Sequence, residues 1–320
     1  MKIVKLSHDF TPLREGILFG IDTETDEPSE LEVKIIEMAT GEVIATKLLR
    51  NTTTATINIA PYIEFLEEYC PASNQCSFEE APTASYKICV GDSLSEEVIV
   101  SVNRCTIDST PAVVSSLPNT RRIARGEEDE VLILAEQGKT IYAEIVADTG
   151  EMLHLESHTS TRATILTIAT DDFDTAISTL DIALYCDGEE FGRLHYSVTA
   201  PLKTSTRLAW VSDSGAIERY SFPSTHKSKR LADKQTIAHS DGVVATQGRA
   251  KQFLSLCSRI EPAATVAALA EIASSPKVWI EHDGAWHSVE VVTPQVKYNL
   301  FGEPSLLHFD ICLWQKEVSL

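Results

Sequence analysis

The pentapeptide TGEVI at residues 40–44 returns as TGEML at 149–153, and its surroundings return with it. Apolar runs precede both, IIEMA at 35–39 and AEIVAD at 143–148, and ATINIA (55–60) is matched by ATILTIA (163–169). The closing stretches YKICVGDSLSEEVIVSV (86–102) and IALYCDGEEFGRLHYSV (182–198) also correspond. Each has an apolar segment with an internal Cys, a turn rich in Gly and acids, and an alternating segment ending in Ser-Val. Ile36 and Ile145 lie 109 positions apart, as do Ala60 and Ala169, whereas Val102 and Val198 lie 96 apart. The first copy therefore carries 13 extra residues after Ala60, and FLEEYCPASNQCSFEEAP (65–82) is expected to hold them as a helical turn or loop. Two tandem copies of one unit of ordinary domain size are the organisation this repeat predicts.

The repeated unit reads as β. LEVKII (31–36), ATINI (55–59), EEVIVSV (96–102), VLILA (131–135) and TIYAEIVA (140–147) all alternate and are rich in β-branched residues, the pattern of half-buried strands. Thr-Gly at 40–41 and 149–150, and Asp-Gly at 187–188, fall between strands where a hairpin needs positive φ. About seven short strands in about 100 residues is the arithmetic of an immunoglobulin- or fibronectin-like sandwich. No Cys…Trp…Cys signature accompanies it.

Residues 201–320 differ. TRLAWVSDSGAIERYSF (206–222) reads as strand, turn at Asp213–Gly215, strand; KVWIEHDGAWHSVEVV (277–292) reads as a hairpin about Asp283–Gly284; SLLHFDICLW (305–314) reads as a closing strand. PAATVAALAEIASS (262–275) is the clearest helix, with Pro262 in its first turn and Val266, Leu269, Ala270, Ile272 and Ala273 as its apolar stripe. The fold class expected is mainly β: two tandem immunoglobulin/fibronectin-like β-sandwiches at 1–103 and 104–200, followed by an α+β C-terminal domain at 201–320.

Charge divides along the same lines. Residues 1–103 carry 7 basic and 18 acidic side chains, residues 104–200 carry 7 and 17, and residues 201–320 carry 13 and 12. Nucleic acid demands a cationic face, so the first two units exclude it. An apolar share of 43% and a charged share of 23% belong to an ordinary globular chain. No run reaches the ~18 apolar residues of a membrane span, and MKIVKLSHDFTPL lacks a signal-peptide core. The chain is therefore expected to be cytoplasmic when synthesised, without membrane insertion. Seven cysteines with no CxxC pair are expected to be reduced and mostly buried, with Cys89, Cys186 and Cys312 inside apolar alternations.

Reaction chemistry is not visible. No GxSxG, HExxH, Walker loop or GxGxxG occurs, and no cofactor-binding or metal-ligand pattern is complete. DTETDE (22–27) and DDFD (171–174) lack the Gly and Glu of a calcium loop and read as solvated acids. GEEDE (126–130) reads as a solvated turn, and His282 with His287 lack a third ligand. HKSKR (226–230) is the basic patch that could meet an acidic partner or nucleic acid, although it lacks interleaved aromatics and an exposed loop tip is the plainer reading. The candidate interaction residues are Trp210, Tyr220, Lys227, Lys229 and Arg230, with Trp210, Tyr220 and Phe222 also readable as core.

WVSDSGAIERYSF, LAEIASSPKVWIEHDGAWHSVEV, the closing LHFDICLW and the opening PLREGILFGI together resemble uncharacterised structural proteins of phages and prophages of anaerobic gut bacteria. The resemblance implies a non-enzymatic virion structural or assembly protein, of the tail or baseplate, acting by protein–protein contacts in a homo- or hetero-oligomer with other virion proteins. It also implies residence in the assembled particle. The rival reading is a carbohydrate- or surface-binding β-sandwich protein, which needs an aromatic platform that the Trp-free first two units do not advertise.

Overall fold

The computed structural model describes residues 1–9, 11, 16–63, 74–81, 83–101, 111–158, 163–201, 204–239, 242–293, 296 and 303–313, with the backbone alone at 83, 101, 158 and 224–251. The described chain is mainly β and forms five sheets. Cys70, Cys105, the expected boundary at 103–104 and residues 314–320 lie outside the described residues.

The first hundred residues supply β1 (Lys2–Lys5), β2 (Leu18–Asp22), β3 (Ser29–Glu37), β4 (Val43–Thr52), β5 (Thr54–Asn58), α1 (Ala60–Ile63), β6 (Ser77–Glu80), β7 (Thr83–Val90), β8 (Ser93–Leu94) and β9 (Val98–Ser101). One sheet runs β1-β2-β5; the facing one runs β4-β3-β7-β8, with β9 also paired to β7. Alternation decides the inward set. Phe19 and Ile21 of β2, Val33 and Ile35 of β3, Ile57 of β5 and Ile88 of β7 are buried together, while the residues between them face out.

The next hundred supply β10 (Ala112–Val114), β11 (Thr120–Ala124), β12 (Glu128–Leu134), β13 (Thr140–Ala147), β14 (Met152–His158), β15 (Ala163–Ala169), β16 (Thr179–Cys186) and β17 (Glu189–Thr199). Their sheets run β10-β12-β15-β6 and β11-β17-β16-β13-β14. The sequence repeat reappears as strand order. β1-β2-β5 corresponds to β10-β12-β15, and β4-β3-β7-β9 to β14-β13-β16-β17. Both Thr-Gly turns hold their glycine at positive φ, +72° at Gly41 and +89° at Gly150. Asp187 and Gly188, at φ 49° and 91°, make the tight turn between β16 and β17. A Cβ at Gly188 would meet nothing within 4 Å. Gly188→Ala therefore isolates the backbone penalty, and denaturant unfolding should show a loss of about 1–2 kcal/mol.

β6 corrects the expectation of a loop or helical turn over 65–82. Residues 64–73 and 82 lie outside the described set, but Ser77–Glu80 pair antiparallel with Thr164–Thr167 of β15. Cys76 and Phe78 join the core of residues 123–198, which anchors the strand there. The Cys76 thiol lies 3.2 Å from Ala169 N and 3.4 Å from Ala169 O, and its backbone N–H donates to Asp172. Burial pushes that thiol's pKa up to about 12. The five described cysteines form no disulfide among themselves, and Cys76, Cys257 and Cys312 are buried.

The last part is a seven-stranded antiparallel sheet of β18 (Thr206–Val211), β19 (Ile217–Phe222), β20 (Ser224–His239), β21 (Gly242–Cys257), β22 (Val278–His282), β23 (Ala285–Val291) and β24 (His308–Leu313), ordered β19-β18-β22-β23-β24-β21-β20. α2 (Ala263–Ala270) covers one face, bringing Val266 and Leu269 against a cluster that includes Leu208, Trp210, Phe222 and Phe309. The helix is shorter than the sequence predicts. Glu271–Ala273 tighten into a 3-10 turn that keeps Ile272 buried and leaves Ala273 exposed. Asp283 and Gly284 form the expected positive-φ hairpin turn. HKSKR is not a loop tip: residues 226–230 lie within the long edge strand β20.

Candidate interaction surfaces

The opposite face of the seven-stranded sheet lies on β12, and the acidic run GEEDE sits in the seam. This corrects its reading as a solvated turn. Period-two geometry carries the acids to alternate sides of β12. Glu128 and Glu130 face the C-terminal sheet, where Arg219 reaches Glu128 Oε1 at 3.1 Å and Glu130 Oε1 at 2.6 Å. Arg207 lies 3.2 Å from Glu128 Oε1 and 3.6 Å from Glu281, and also donates to the Glu128 carbonyl. Both guanidiniums lie near the Trp286 ring, at 5.9 and 5.6 Å from its centroid. Further along the same face Leu132 and Leu134 meet Ala163, Ala81 and Ala216 in a small apolar patch.

Asp129 faces inward. It accepts from Arg121 Nη1 at 3.1 Å and from the Tyr196 hydroxyl at 2.8 Å. Arg121 also lies 3.8 Å from Glu218 of β19 and donates to Ser115 Oγ at 2.6 Å. Glu218 in turn accepts from Ser115 Oγ at 2.7 Å and from the Ser116 N–H at 2.8 Å. One buried arginine thus holds two buried carboxylates that belong to different sheets. Burial opposes the Arg121 charge, yet Tyr196, Glu218 and Asp129 hold its pKa above the ordinary arginine value. Burial lifts the Tyr196 hydroxyl well above its ordinary value, which keeps it donating to Asp129.

Glu218 is the pH-sensitive member. Burial raises its carboxyl pKa, against Arg121 and the hydrogen bonds from Ser115 and Ser116. A raised folded-state pKa contributes stability that is fully present below the unfolded carboxyl value, about 4.3, and lost as pH rises through the folded value. Glu218→Gln keeps a hydrogen-bond acceptor for both serines and cannot titrate. Its stability relative to the parent chain is expected to improve as pH rises through that window, measured by urea unfolding at a series of pH values.

A cavity of about 130 Å³ remains in the seam, lined by Arg121, Arg219, Glu127, Tyr220 and Glu261 among others. Tyr220 belongs to this internal junction. Its hydroxyl donates to Glu261 Oε1 at 2.9 Å and accepts from the Arg259 N–H at 3.2 Å. Glu261 also holds Arg122 at 3.3 Å. Trp210, the other aromatic candidate, is 0% exposed and belongs to the core under α2, which leaves it no surface to offer a partner. Lys227, Lys229 and Arg230 are brought together along β20, opposite Ser255, Phe253 and Gln252 of β21; their side chains lie outside the described residues.

A different face missed by sequence reasoning lies on the outside of β14-β13-β16-β17. Tyr142 and Tyr185, cross-strand partners, stack at 4.6 Å and 12°, and His154 tilts against Tyr142 at 5.3 Å. Beside them His195 meets Asp181 at 2.7 Å, and Arg193 pairs with Glu190. Neighbouring strands are about 4.8 Å apart, so rings that stack across them stand edge-on to the outside. Their faces are turned to each other rather than offered for sugar stacking. Among the described residues no three His, Cys, Asp or Glu side chains group to hold a metal ion. No helix among the described residues is long and apolar enough to cross a membrane.

No protein-family model matches this chain, and no curated protein matches it. Among solved structures it is similar to the chicken interferon gamma receptor alpha chain, at 10% identity over 60% of this chain and 95% of that one, with a TM-score of 0.20. It is similar to domains 4–9 of the surface layer protein SbsC at 10% identity, over 91% of this chain and 54% of that one, with a TM-score of 0.24. The full extracellular region of plexin A4 matches at 8% identity over 97% of this chain and 34% of that one, with a TM-score of 0.15. Superpositions at these scores carry no argument about function.

Proposed function

We propose that this chain is a non-enzymatic structural and assembly protein, built from two tandem immunoglobulin/fibronectin-like sandwiches and an α+β unit, and acting by protein–protein contacts in a virion tail or baseplate. The observation that carries this reading is the buried seam. Arg121, Arg207 and Arg219 tie the C-terminal sheet to the preceding sandwich through buried charges. A part that transmits position between neighbours needs that rigidity. The edges of β4 and β20, which no further strand pairs among the described residues, supply surfaces for strand or ribbon contacts. The phage and prophage assignment rests on the sequence resemblance in residues 12–21, 210–222, 269–291 and 307–314.

The carbohydrate- or surface-binding reading draws on the Tyr142–Tyr185–His154 row. The edge-on packing of those rings makes it the second choice. Sedimentation of the purified chain, alone and mixed with other structural proteins of the same particle, tests the first. Self-association or a stable mixed complex is expected. A monomer that binds none of them while retaining a glycan on an array, lost in Tyr185→Ala, would move the assignment to the second.

A further inference from the structure

Among the described residues, strands β20 and β21 run far beyond their pairing with the rest of the sheet. β24 pairs with β21 only from Gln252 to Cys257. From Leu231 to His239 and from Gly242 to Lys251 the two strands pair with each other alone among the described residues. At about 3.3 Å per residue this is a two-stranded ribbon about 30 Å long. Along that length no third strand pairs with either edge among the described residues. An isolated two-stranded ribbon is marginal in water, and a third strand or a packing partner is what makes such an element hold its form.

The whole β20–β21 hairpin also has the wrong sign for the chain that carries it. Residues 224–257 hold six basic side chains and two acidic ones; the remaining residues hold 21 and 45. Lys227, Lys229, Arg230 and Lys234 fall on the free-edge strand β20, and Arg249 and Lys251 on β21. Residues 1–200 hold 14 basic and 35 acidic side chains, and the acids from Asp22 to Glu32 are exposed. Lys227, Lys229 and Arg230 lie where β21 also pairs with β24, and Lys234, Arg249 and Lys251 lie on the ribbon beyond it, so each chain has one cationic hairpin and one anionic body, and the two are complementary between copies.

We propose that the β20–β21 ribbon docks on the acidic sandwiches, residues 1–200, of a second copy of this chain. The proposal rests on the assembly function above and assigns the element that makes the contact. The contact is head-to-tail: every copy has one ribbon and one acceptor, so repetition closes a ring or runs on as a filament. Its attraction is electrostatic between otherwise mutually repelling acidic bodies, so the sign of its salt dependence is distinctive. Docking by the ribbon weakens as salt is added, whereas association through apolar faces strengthens as the general repulsion is screened.

Sedimentation velocity on the full chain, over a concentration series from about 0.05 M to about 0.5 M salt, reads this out. The expected result is self-association that falls with salt and is weakened at least about tenfold by the combined Lys227→Glu, Lys229→Glu, Arg230→Glu and Lys234→Glu substitutions. Hydrogen exchange serves as the second readout. In the unmutated chain, β20 amides gain protection on concentration, while β18 and β22 report that the fold is intact in both forms. If the variant does not fold, the salt series and the exchange on the unmutated chain decide. Self-association that is unchanged by the substitutions, or that strengthens with salt, overturns the ribbon and leaves the assembly function standing. A monomer at every concentration that still binds another structural protein also overturns the ribbon alone; a monomer that binds none overturns both.

Discussion

Replacing Arg121 by alanine is expected to lower the stability of the chain by about 3–5 kcal/mol, the scale seen when one partner of a buried ion pair is removed. The side chain of Arg121 is 4% exposed, and those of Asp129 and Glu218 are 9% and 1% exposed. Without the guanidinium, two carboxylates face one another in a site that water barely reaches. Tyr196 and Ser115 would remain hydrogen-bonded to them, but neutral donors cannot replace the charge. Two further consequences distinguish this from an ordinary cavity. The Arg121→Ala chain should recover part of its loss on acidification, because the orphaned Glu218 carboxyl, already raised by burial, can then bind a proton. Exchange of the amides in β12 and β19 should rise together, because the lost group bridges those two strands. Urea unfolding across a pH series, with exchange at neutral pH, checks both. A loss below about 1 kcal/mol would place Arg121 in the class of exposed pairs and remove the basis for calling the seam rigid.

Trp210→Ala is expected to cost about 3–5 kcal/mol, as large-to-small core replacements do. The ring is fully buried with Leu208, Phe222, Leu269 and Phe309, between the sheet and α2. Its indole Nε1 has no hydrogen-bond partner among the described residues, so the side chain acts there as volume. Trp210→Phe removes volume and the buried N–H together and should therefore lose much less than Trp210→Ala. Were Trp210 instead a contact residue, alanine would weaken association and leave the unfolding transition in place. Thermal unfolding of both variants beside sedimentation of the folded fraction separates the two.

The parts of this fold that the sequence discloses are those governed by neighbouring residues. Thr40-Gly41, Thr149-Gly150, Asp187-Gly188 and Asp283-Gly284 mark turns because few other residue pairs tolerate positive φ. Alternation in IYAEIVA and LEVKII marks inward faces because the pleat enforces it. What stayed hidden depends on partners far along the chain. GEEDE looks hydrated when read by composition. Read as the first residues of the strand that continues into VLILA, it sends Asp129 to one side and Glu128 and Glu130 to the other. Their arginines wait at 121, 207 and 219, the last 91 residues beyond Glu128. SFEE is four residues with two acids and carries no strand signal of its own; only Phe78 and the open edge of β15 make it one. HKSKR reads as loop because polar residues dominate it, although an edge strand tolerates lysine well and is protected by it. Of the interaction candidates, the aromatic pair was legible as core from its place in alternating strands. The outward Tyr142–Tyr185 row was equally legible in principle, because both tyrosines follow the inward-facing positions Ile141 and Leu184 by one.

β6 carries one more implication. The thirteen residues that break the symmetry of the repeat contain the strand that leaves its own copy and completes the next one's sheet. Successive copies are consequently joined twice, once by the covalent chain and once by a hydrogen-bonded ladder. Removing residues 1–101 would therefore strip β6 from β15 and leave that strand as an open edge.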